Sequence, residues 1–173
     1  LQGLRLLSRP GESKGADGQF VTLGLGAEVF AVPVAYVREI LDYAAPFAIP
    51  EGPAYLLGLT DVRGRGTPTL DLRRKLGLPP QAPGPTTRIL VVDVPVDGRM
   101  LSLGLVADRV IEVAAFSEGQ IEDAPDIGVP WRSEYIRGVV RRDSSSGVGG
   151  FVVIFDLARL LTSQDAAFLA QAA

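Results

Sequence analysis

The stretch YLLGLTDVRGRGTPTLDLRRKL, from Tyr55 to Leu76, decides the fold because a second version of it follows later in the chain. That version begins YIRGVVRRDS at Tyr135 and ends FVVIFDLARLL at Leu161, with an inserted SSSGVGG between the two parts. The matches, in order, are VREI at Val37 with VIEV at Val110, Tyr55 with Tyr135, Gly58 with Gly138, and Asp71-Leu72 with Asp156-Leu157. Chance similarity between β-rich segments is the alternative, but the conserved order of the matches favours an internal duplication.

Each copy contains about five short runs of alternating apolar residues separated by turn signals, a pattern typical of small sheets or barrels. The clearest case is QFVTLGLGAEVFAVPV, whose two alternating runs flank Gly26-Ala27 and predict a hairpin. We therefore predict a mainly β chain with two small β subdomains side by side, sharing apolar surface. The first covers about residues 20–78 and the second about 88–157, and strands can be exchanged near the boundary.

The two ends of the chain differ from this β pattern. Residues 1–18 are rich in Gly, Ser, Pro and charge and predict a flexible lead-in to a single domain over residues 19–162. Residues 157–173 carry apolar side chains at helical spacing and predict a packed C-terminal helical segment, which Thr162-Ser163 can break.

A short helix is predicted in DLRRKLGL. Asp71 can cap its first turn, because an Asp side chain accepts hydrogen bonds from free backbone N–H groups, and Gly77 suits its end. Asp156 is interpreted in the same way, as a helix cap and not as half of an acid/base pair with Asp71. The basic run Arg73-Arg74-Lys75 is interpreted as a solvated helix face.

Composition argues against several classes of function. The chain has 173 residues, 47% hydrophobic and 21% charged, which is a globular composition, and its net charge of -3 with a pI near 5.0 disfavours nucleic-acid binding. It has no histidine and no cysteine, which removes the commonest general base, metal ligands and nucleophiles. The glycines of RGRG do not open a helix, so they lack the N–H groups of a phosphate site. We predict no catalytic residues, no metal and no cofactor.

Targeting signals are also missing from the sequence. No apolar run approaches the ~18 residues of a membrane span, so direct membrane insertion is not expected. The first residues lack the pattern of a signal peptide. A cytoplasmic location is the expectation.

The ordered segments of both halves resemble the CheW-like adaptor domain of bacterial chemosensory systems. They are FVTLGLGAEVFAVPVAYVREIL, AIPEGPAYLLGLTDVRGRGTPTLDLRRKLGL, TRILVVDV, GLVADRVIEV, YIRGVV and VVIFDLARLL. The resemblance covers Phe20 to about Leu161. It implies two five-stranded, SH3-like β-barrel subdomains around a common core. It also implies a non-enzymatic adaptor that binds the regulatory domain of a CheA-type histidine kinase and the cytoplasmic tip of chemoreceptors.

The resemblance also implies the residues that contact these partners. The family motif before the apolar strand reads Asn-Leu-Arg-Gly, and here the Arg-Gly pair carries over as Arg63-Gly64 after Val62. The family carries a Glu that matches Glu39 and is expected to pair with this arginine. In an extended VREIL segment, Val37, Glu39 and Leu41 are expected to share one face. The predicted partner-binding residues are Val37, Glu39, Val62, Arg63 and Gly64.

Three readings compete with a receptor-to-kinase adaptor. The first is a CheW-like regulatory domain or adaptor module of a larger or alternative chemosensory system, for example one that controls pili or development. The second is a hydrolase that uses carboxylates such as Asp71. The third is an OB-like nucleic-acid binder, which would need aromatic residues on a basic groove.

Overall fold

Strands make up most of the structure, a computed structural model that describes residues 4–5, 18–123, 135–142, 150–161, 165 and 169. In chain order they are β1 (Leu4–Arg5), β2 (Gln19–Leu25), β3 (Glu28–Pro33), β4 (Val37–Asp42), β5 (Leu56–Val62), β6 (Arg65–Asp71), β7 (Arg88–Val96), β8 (Arg99–Ala107), β9 (Arg109–Ala115), β10 (Ile121–Glu122), β11 (Ile136–Arg142) and β12 (Gly150–Phe155). Helix α1 (Leu72–Lys75) follows β6, helix α2 (Leu157–Leu160) follows β12, and 3₁₀ turns cover Val34–Tyr36 and Glu118–Gln120. The predicted mainly β fold is confirmed.

The strands form two sheets of similar construction. Their orders are β1-β4-β7-β8-β6-β5 and β10-β11-β12-β3-β2-β9. Each sheet therefore contains five longer strands and one strand of two residues, β1 or β10. This arrangement agrees with two β subdomains, while their SH3-like barrel geometry stays a prediction. Apart from β1, residues 1–17 of the expected lead-in lie outside the described residues.

The two sheets do not correspond to the predicted subdomains of residues 20–78 and 88–157. Hairpin β2–β3 lies in the sheet of the second half, and hairpin β7–β8 lies in the sheet of the first half. The cause is a pair of parallel contacts, β3 with β12 and β8 with β6. Each copy thus donates its first hairpin to the last strand of the other copy, so these bounds do not separate the two sheets.

This exchange gives the two sheets a common core. One cluster of buried side chains includes Leu23 and Phe30 from the second sheet and Leu90 and Leu105 from the first. The rings of Phe30 and Phe155 stack with centroids 4.9 Å apart and planes 3° from parallel. Neither sheet could keep this apolar face dry without the other, because the face of one covers the face of the other.

Matching backbone contacts support the duplication. The amide of Asp71 donates to the carbonyl oxygen of Tyr55 over 2.8 Å, and the amide of Asp156 donates to that of Tyr135 over the same 2.8 Å. The pairing of β5 with β6 shifts register at Gly58, as does the pairing of β11 with β12 at the matching glycine. The residues that match in sequence therefore make the same contacts in both copies.

Helix α1 begins and ends as the sequence predicts. The Asp71 side chain accepts the amide of Arg73 over 3.0 Å. Gly77 adopts φ +74, and the following residue, Leu78, donates back to the Arg73 carbonyl over 2.8 Å. The capping interpretation is wrong for Asp156, which occupies the N-cap position of α2 without a side-chain bond to the backbone.

The basic run of α1 is not the solvated face that we predicted. The side chains of Arg73 and Lys75 are only 11% and 7% exposed, whereas Arg74 is 48% exposed. A run of charges indicates exposure only when no other element packs over it. In this fold two carboxylates, Asp108 and Asp165, face the helix and pair with its buried cations.

Arg73 connects α1 with the junction of β8 and β9. Its Nε and Nη2 donate to the two carboxylate oxygens of Asp108 over 2.9 and 2.5 Å, and Asp108 also accepts the amide of Gly26 over 2.6 Å. Burial alone would raise the pKa of the Asp108 carboxyl, but the bonds from Arg73 and Gly26 outweigh it and hold this pKa below its ordinary value of 3.8. The turn of the β2–β3 hairpin is thus tied to both halves of the chain.

Lys75 connects α1 with the C-terminal segment. Its ammonium lies 3.2 Å from Asp165, 4.4 Å from the centre of the Tyr55 ring and 5.4 Å from that of Tyr135. Burial, followed by the nearby Asp165 carboxylate, raises the pKa of Tyr55. Asp165 and the buried Leu169 are helical, and the expected break at residues 162–163 lies outside the described residues. No helix within the described ranges has the length and apolar character needed to cross a membrane.

The Arg73–Asp108 contact predicts a pH-dependent loss of stability. Asp108→Asn should lower the free energy of unfolding at pH 7 by about 2 kcal/mol, because it removes a charged acceptor from a largely buried guanidinium. A lowered pKa in the folded state adds stability above the unfolded-state pKa and loses it as the pH falls. The difference from the unsubstituted protein should therefore shrink below about pH 4.

Urea denaturation at pH 7 and at steps down to pH 3 measures this difference. Glu118→Gln is the control, since the carboxylate of Glu118 is 84% exposed and its ion pair with Arg137 should contribute less than about 1 kcal/mol. An Asp108→Asn protein with unchanged stability at pH 7 contradicts the prediction.

Gly58→Ala should be strongly destabilising. Gly58 has φ +145, and a Cβ on it would lie 2.1 Å from the carbonyl oxygen of Phe47, whose backbone pairs with Leu59. We expect a loss of about 2 kcal/mol or more, since both the backbone and its neighbour must shift. Gly84→Ala is the control because a Cβ there meets nothing within 4 Å. Thermal melts measure the effect, and equal melting temperatures for Gly58→Ala and Gly84→Ala would contradict the prediction.

Candidate functional site

The turn between β5 and β6 carries the predicted arginine. Val62 pairs with Arg65, which leaves Arg63 and Gly64 as the two turn residues, with φ values of +54 and +82. The side chain of Asp61 accepts the amide of Gly64 over 2.9 Å. Two left-handed residues make this a type I′ turn, a type in which Asn-Gly is strongly favoured. Arginine is thus an unfavourable residue for its own backbone position.

The predicted contact between Arg63 and Glu39 is present. The Nε of Arg63 donates to Oε2 of Glu39 over 3.1 Å, with side chains 56% and 12% exposed. Glu39 lies on β4, while Arg63 lies beyond β5, and these strands stand at opposite ends of the long-strand order in the first sheet. The ion pair therefore joins two distant edges of one strongly curved sheet.

The predicted face of β4 is wrong. Val37 pairs with Val92 on β7, but Glu39 pairs with the adjacent Val91, so Arg38 is an extra residue in a bulge. The bulge shifts the alternation by one residue. Val37 and Ile40 consequently face the core, 2% and 5% exposed, while Glu39 points to the other side and contacts Arg63, with 12% of its side chain exposed.

The structure brings four of the five predicted site residues together. Val62, Arg63 and Gly64 form the end of the β5–β6 hairpin, and Glu39 contacts it. Val62 is largely buried, and Val37 is a core residue that contributes no surface. Partner binding by these residues stays a prediction.

Beside this hairpin lies a groove of about 750 Å³. Its basic lining consists of Arg38, Arg63, Arg65 and Arg99, and its apolar lining includes Val62, Met100, Leu103 and Leu169. No acidic residue lines it within the described part of the chain. Sequence reasoning missed Arg38, Arg99 and Met100. The length of the β7–β8 hairpin is a signal for Arg99 and Met100, but not for Arg38, which lies on β4.

The carboxylates considered for catalysis have local roles. Asp71 caps α1 and lies 3.4 Å from Arg74, and Asp156 lies 3.6 Å from Arg159. Among the residues that the structure covers, no group of three or more potential metal ligands comes together.

The second copy lacks an equivalent ion pair within the described residues. Glu112, which matches Glu39, is exposed on β9, and no basic side chain of the described residues pairs with it. Asp143, which follows Tyr135 by eight residues as Arg63 follows Tyr55, lies outside the described residues. In the part of the chain that the structure describes, the contact between a strand carboxylate and a turn arginine is thus found in the first copy alone.

Comparisons with known proteins agree with this geometry. The CheW-like domain family model matches residues 19–165. The probable chemotaxis protein CheW of Rhizobium etli is 30% identical over 127 residues, 73% of this chain and 79% of that protein. The chemotaxis protein CheW of Klebsiella aerogenes is 28% identical over 172 residues, 98% of this chain and 96% of that protein.

A solved structure has the same fold. The crystal structure of the scaffolding protein TtCheW from Thermoanaerobacter tengcongensis superposes with a TM-score of 0.73 at 24% identity, covering 86% of this chain and 90% of that one. The family match extends over both sheets and includes the turn that carries Arg63. The chain therefore belongs to the family of CheW-like domains and is a chemotaxis adaptor.

Proposed function

We propose that this adaptor is non-enzymatic and couples chemoreceptors to a CheA-type histidine kinase through the surface around Arg63. One observation carries the proposal: Arg63 occupies a left-handed turn position, φ +54, that suits Asn or Gly better. A residue that is locally unfavourable needs a compensating role.

Folding gives Arg63 little compensation. A left-handed backbone costs a residue with a Cβ about 1–2 kcal/mol. Its ion pair with Glu39 joins a guanidinium that is 56% exposed to a carboxylate that is 12% exposed, and with one partner in solvent it should contribute no more than about 1 kcal/mol. The two terms leave no net gain in stability from arginine at this position.

Partner binding can explain the presence of arginine at this position, which the stability of the fold does not explain. Among the described residues, Arg63 donates only its Nε–H, to Glu39, so its terminal N–H groups are proposed to bind a partner. Glu39 fixes the guanidinium in place, which reduces the entropy lost on binding. An arginine held at an interface can contribute ~2 kcal/mol or more of binding free energy.

The proposed partners are the regulatory domain of the kinase and the cytoplasmic tip of the receptor hairpin. Both are protein surfaces, and an acidic chain with a net charge of -3 is better suited to them than to nucleic acid. The adaptor would act in the cytoplasm, at receptor arrays that it reaches through these partners. The absence of histidine and cysteine from the sequence supports a role without catalysis.

Arg63→Asn tests this proposal better than alanine, because asparagine favours the turn while it removes the guanidinium. We expect the free energy of unfolding to stay within about 1 kcal/mol of its original value. We expect the Kd for a receptor-tip hairpin or the kinase regulatory domain to rise by about tenfold or more, a loss of ~1.4 kcal/mol. Calorimetry with each partner and thermal melts measure the two effects.

Arg141→Asn is the matched control. Arg141 is 74% exposed and pairs with Glu122 over 3.0 Å, so it resembles Arg63 in exposure and pairing but lies on β11 in the other sheet. Its substitution should leave both affinities unchanged. The proposal is wrong if Arg63→Asn unfolds the protein, or if both partners still bind it as tightly as before.

A further inference from the structure

The β7–β8 hairpin is longer than its counterpart in the other copy. Its ladder has nine residue pairs and ends at Val96 with Arg99, while the β2–β3 ladder has six and ends at Leu25 with Glu28. In β3, a single residue, Glu28, precedes the part that pairs with β12. In β8, five residues, 99–103, precede the part that pairs with β6, which starts at Gly104. At ~3.3 Å per residue, the second hairpin projects about 13 Å further.

The projecting part is packed on one side and free on the other. Val94 and Val96 belong to the main core cluster, 1% and 6% exposed, so the extension is anchored. Arg99 and Met100 are exposed, Met100 by 65%. The tip of the β2–β3 hairpin, by contrast, is bound to Asp108 and Arg109.

The extension forms one of the two walls of the groove lined by Arg38, Arg63, Arg65 and Arg99, called the arginine groove below. Parallel pairing of β6 with β8 starts at Thr69 and Gly104. The residues before them, 65–68 and 99–103, are not paired with each other, and the groove opens between these two segments. The β5–β6 turn with Arg63 therefore stands on one side and the tip with Arg99 on the other.

The groove combines positive walls with an apolar base. Arg38 has a carboxylate partner in Asp93, as Arg63 has in Glu39, but Arg65 and Arg99 have no ion pair among the described residues. This concentration of cations contrasts with the net charge of the chain, -3. The apolar lining includes Val62, Leu103 and Leu169, all less than 10% exposed, and Met100, which is 65% exposed.

We infer that the extended β7–β8 hairpin determines partner specificity, with Arg65 and Arg99 binding carboxylates of an acidic amphipathic helix whose apolar stripe lies between the walls. The inference rests on the proposed function, because it assigns a partner chemistry to the same groove. Arginine is suited to this role because its planar guanidinium binds carboxylates with two parallel hydrogen bonds. A helix can place an apolar stripe between two rows of Glu or Asp.

The test compares two forms of a receptor-tip helical hairpin, one unmodified and one with every Glu and Asp replaced by Gln and Asn. Each is titrated into the full chain, into the double variant Arg65→Gln/Arg99→Gln and into Arg63→Asn. Arg137→Gln/Arg141→Gln is the control, since it removes the same charge from two exposed arginines of β11. Melting temperatures check that each variant is folded.

We expect the double variant to bind the unmodified hairpin about tenfold more weakly, and the control to bind it within about twofold of the original affinity. The hairpin with Gln and Asn should bind the original chain weakly. It should bind the double variant with the same weak affinity, since the carboxylates that would interact with Arg65 and Arg99 are already gone. Equal binding of the acidic and amide hairpins to the original chain would overturn the inference.

The two proposals can fail separately. If Arg63→Asn weakens binding and Arg65→Gln/Arg99→Gln does not, the proposed coupling role stands and the specificity role of the long hairpin is wrong. If the double variant weakens binding of the acidic form alone and Arg63→Asn has no effect, the partner chemistry inferred for the groove stands and the coupling role of Arg63 is wrong.

Discussion

Parallel pairing of β8 with β6, and of β3 with β12, is the constraint on which the rest of the molecule depends. It places the first hairpin of each copy in the sheet of the other copy and so joins segments that are far apart in sequence. Because each hairpin is held by the opposite half, neither half has a complete sheet of its own. The point where β8 leaves β6 also fixes where the arginine groove opens.

A second constraint is the Glu39–Arg63 ion pair, which connects β4 with the end of β5, the two outermost long strands of the first sheet. The bulge at Arg38 makes this contact possible, since regular alternation would place Glu39 on the same side as the buried Val37. The pair holds the guanidinium of Arg63 beside the groove that this residue lines. The bulge residue Arg38 and the turn residue Arg63 thus both line the same groove.

Much of the fold could be predicted because its signals are local or repeated. Hairpin turns, the cap at Asp71 and the ordered match between the halves are all visible in the sequence. Alternation of apolar residues shows which face of a strand is buried, but not which strand pairs with it. The sequence therefore predicts that strands can be exchanged near the boundary, but not that whole hairpins are exchanged. No glycine or proline marks the bulge at Arg38, and the burial of Arg73 and Lys75 depends on carboxylates distant in sequence. For the site, Glu39 and Arg63 could be predicted from the sequence, but the wall of the groove formed by Arg99 and Met100 could not.

Departures from the internal symmetry are more informative about function than the symmetry itself. The shared contacts of Tyr55 and Tyr135 serve the fold in both copies and need no partner to explain them. Lys75, in contrast, lies where the second copy has the buried Leu160, and a lysine there requires the carboxylate of Asp165 from the C-terminal segment. The turn arginine and the longer hairpin are also confined to the first sheet. All three departures introduce cations where a symmetric fold needs none, and two of them line one groove. An adaptor must present different surfaces to different partners, and a duplicated fold gains that difference only where its copies have diverged.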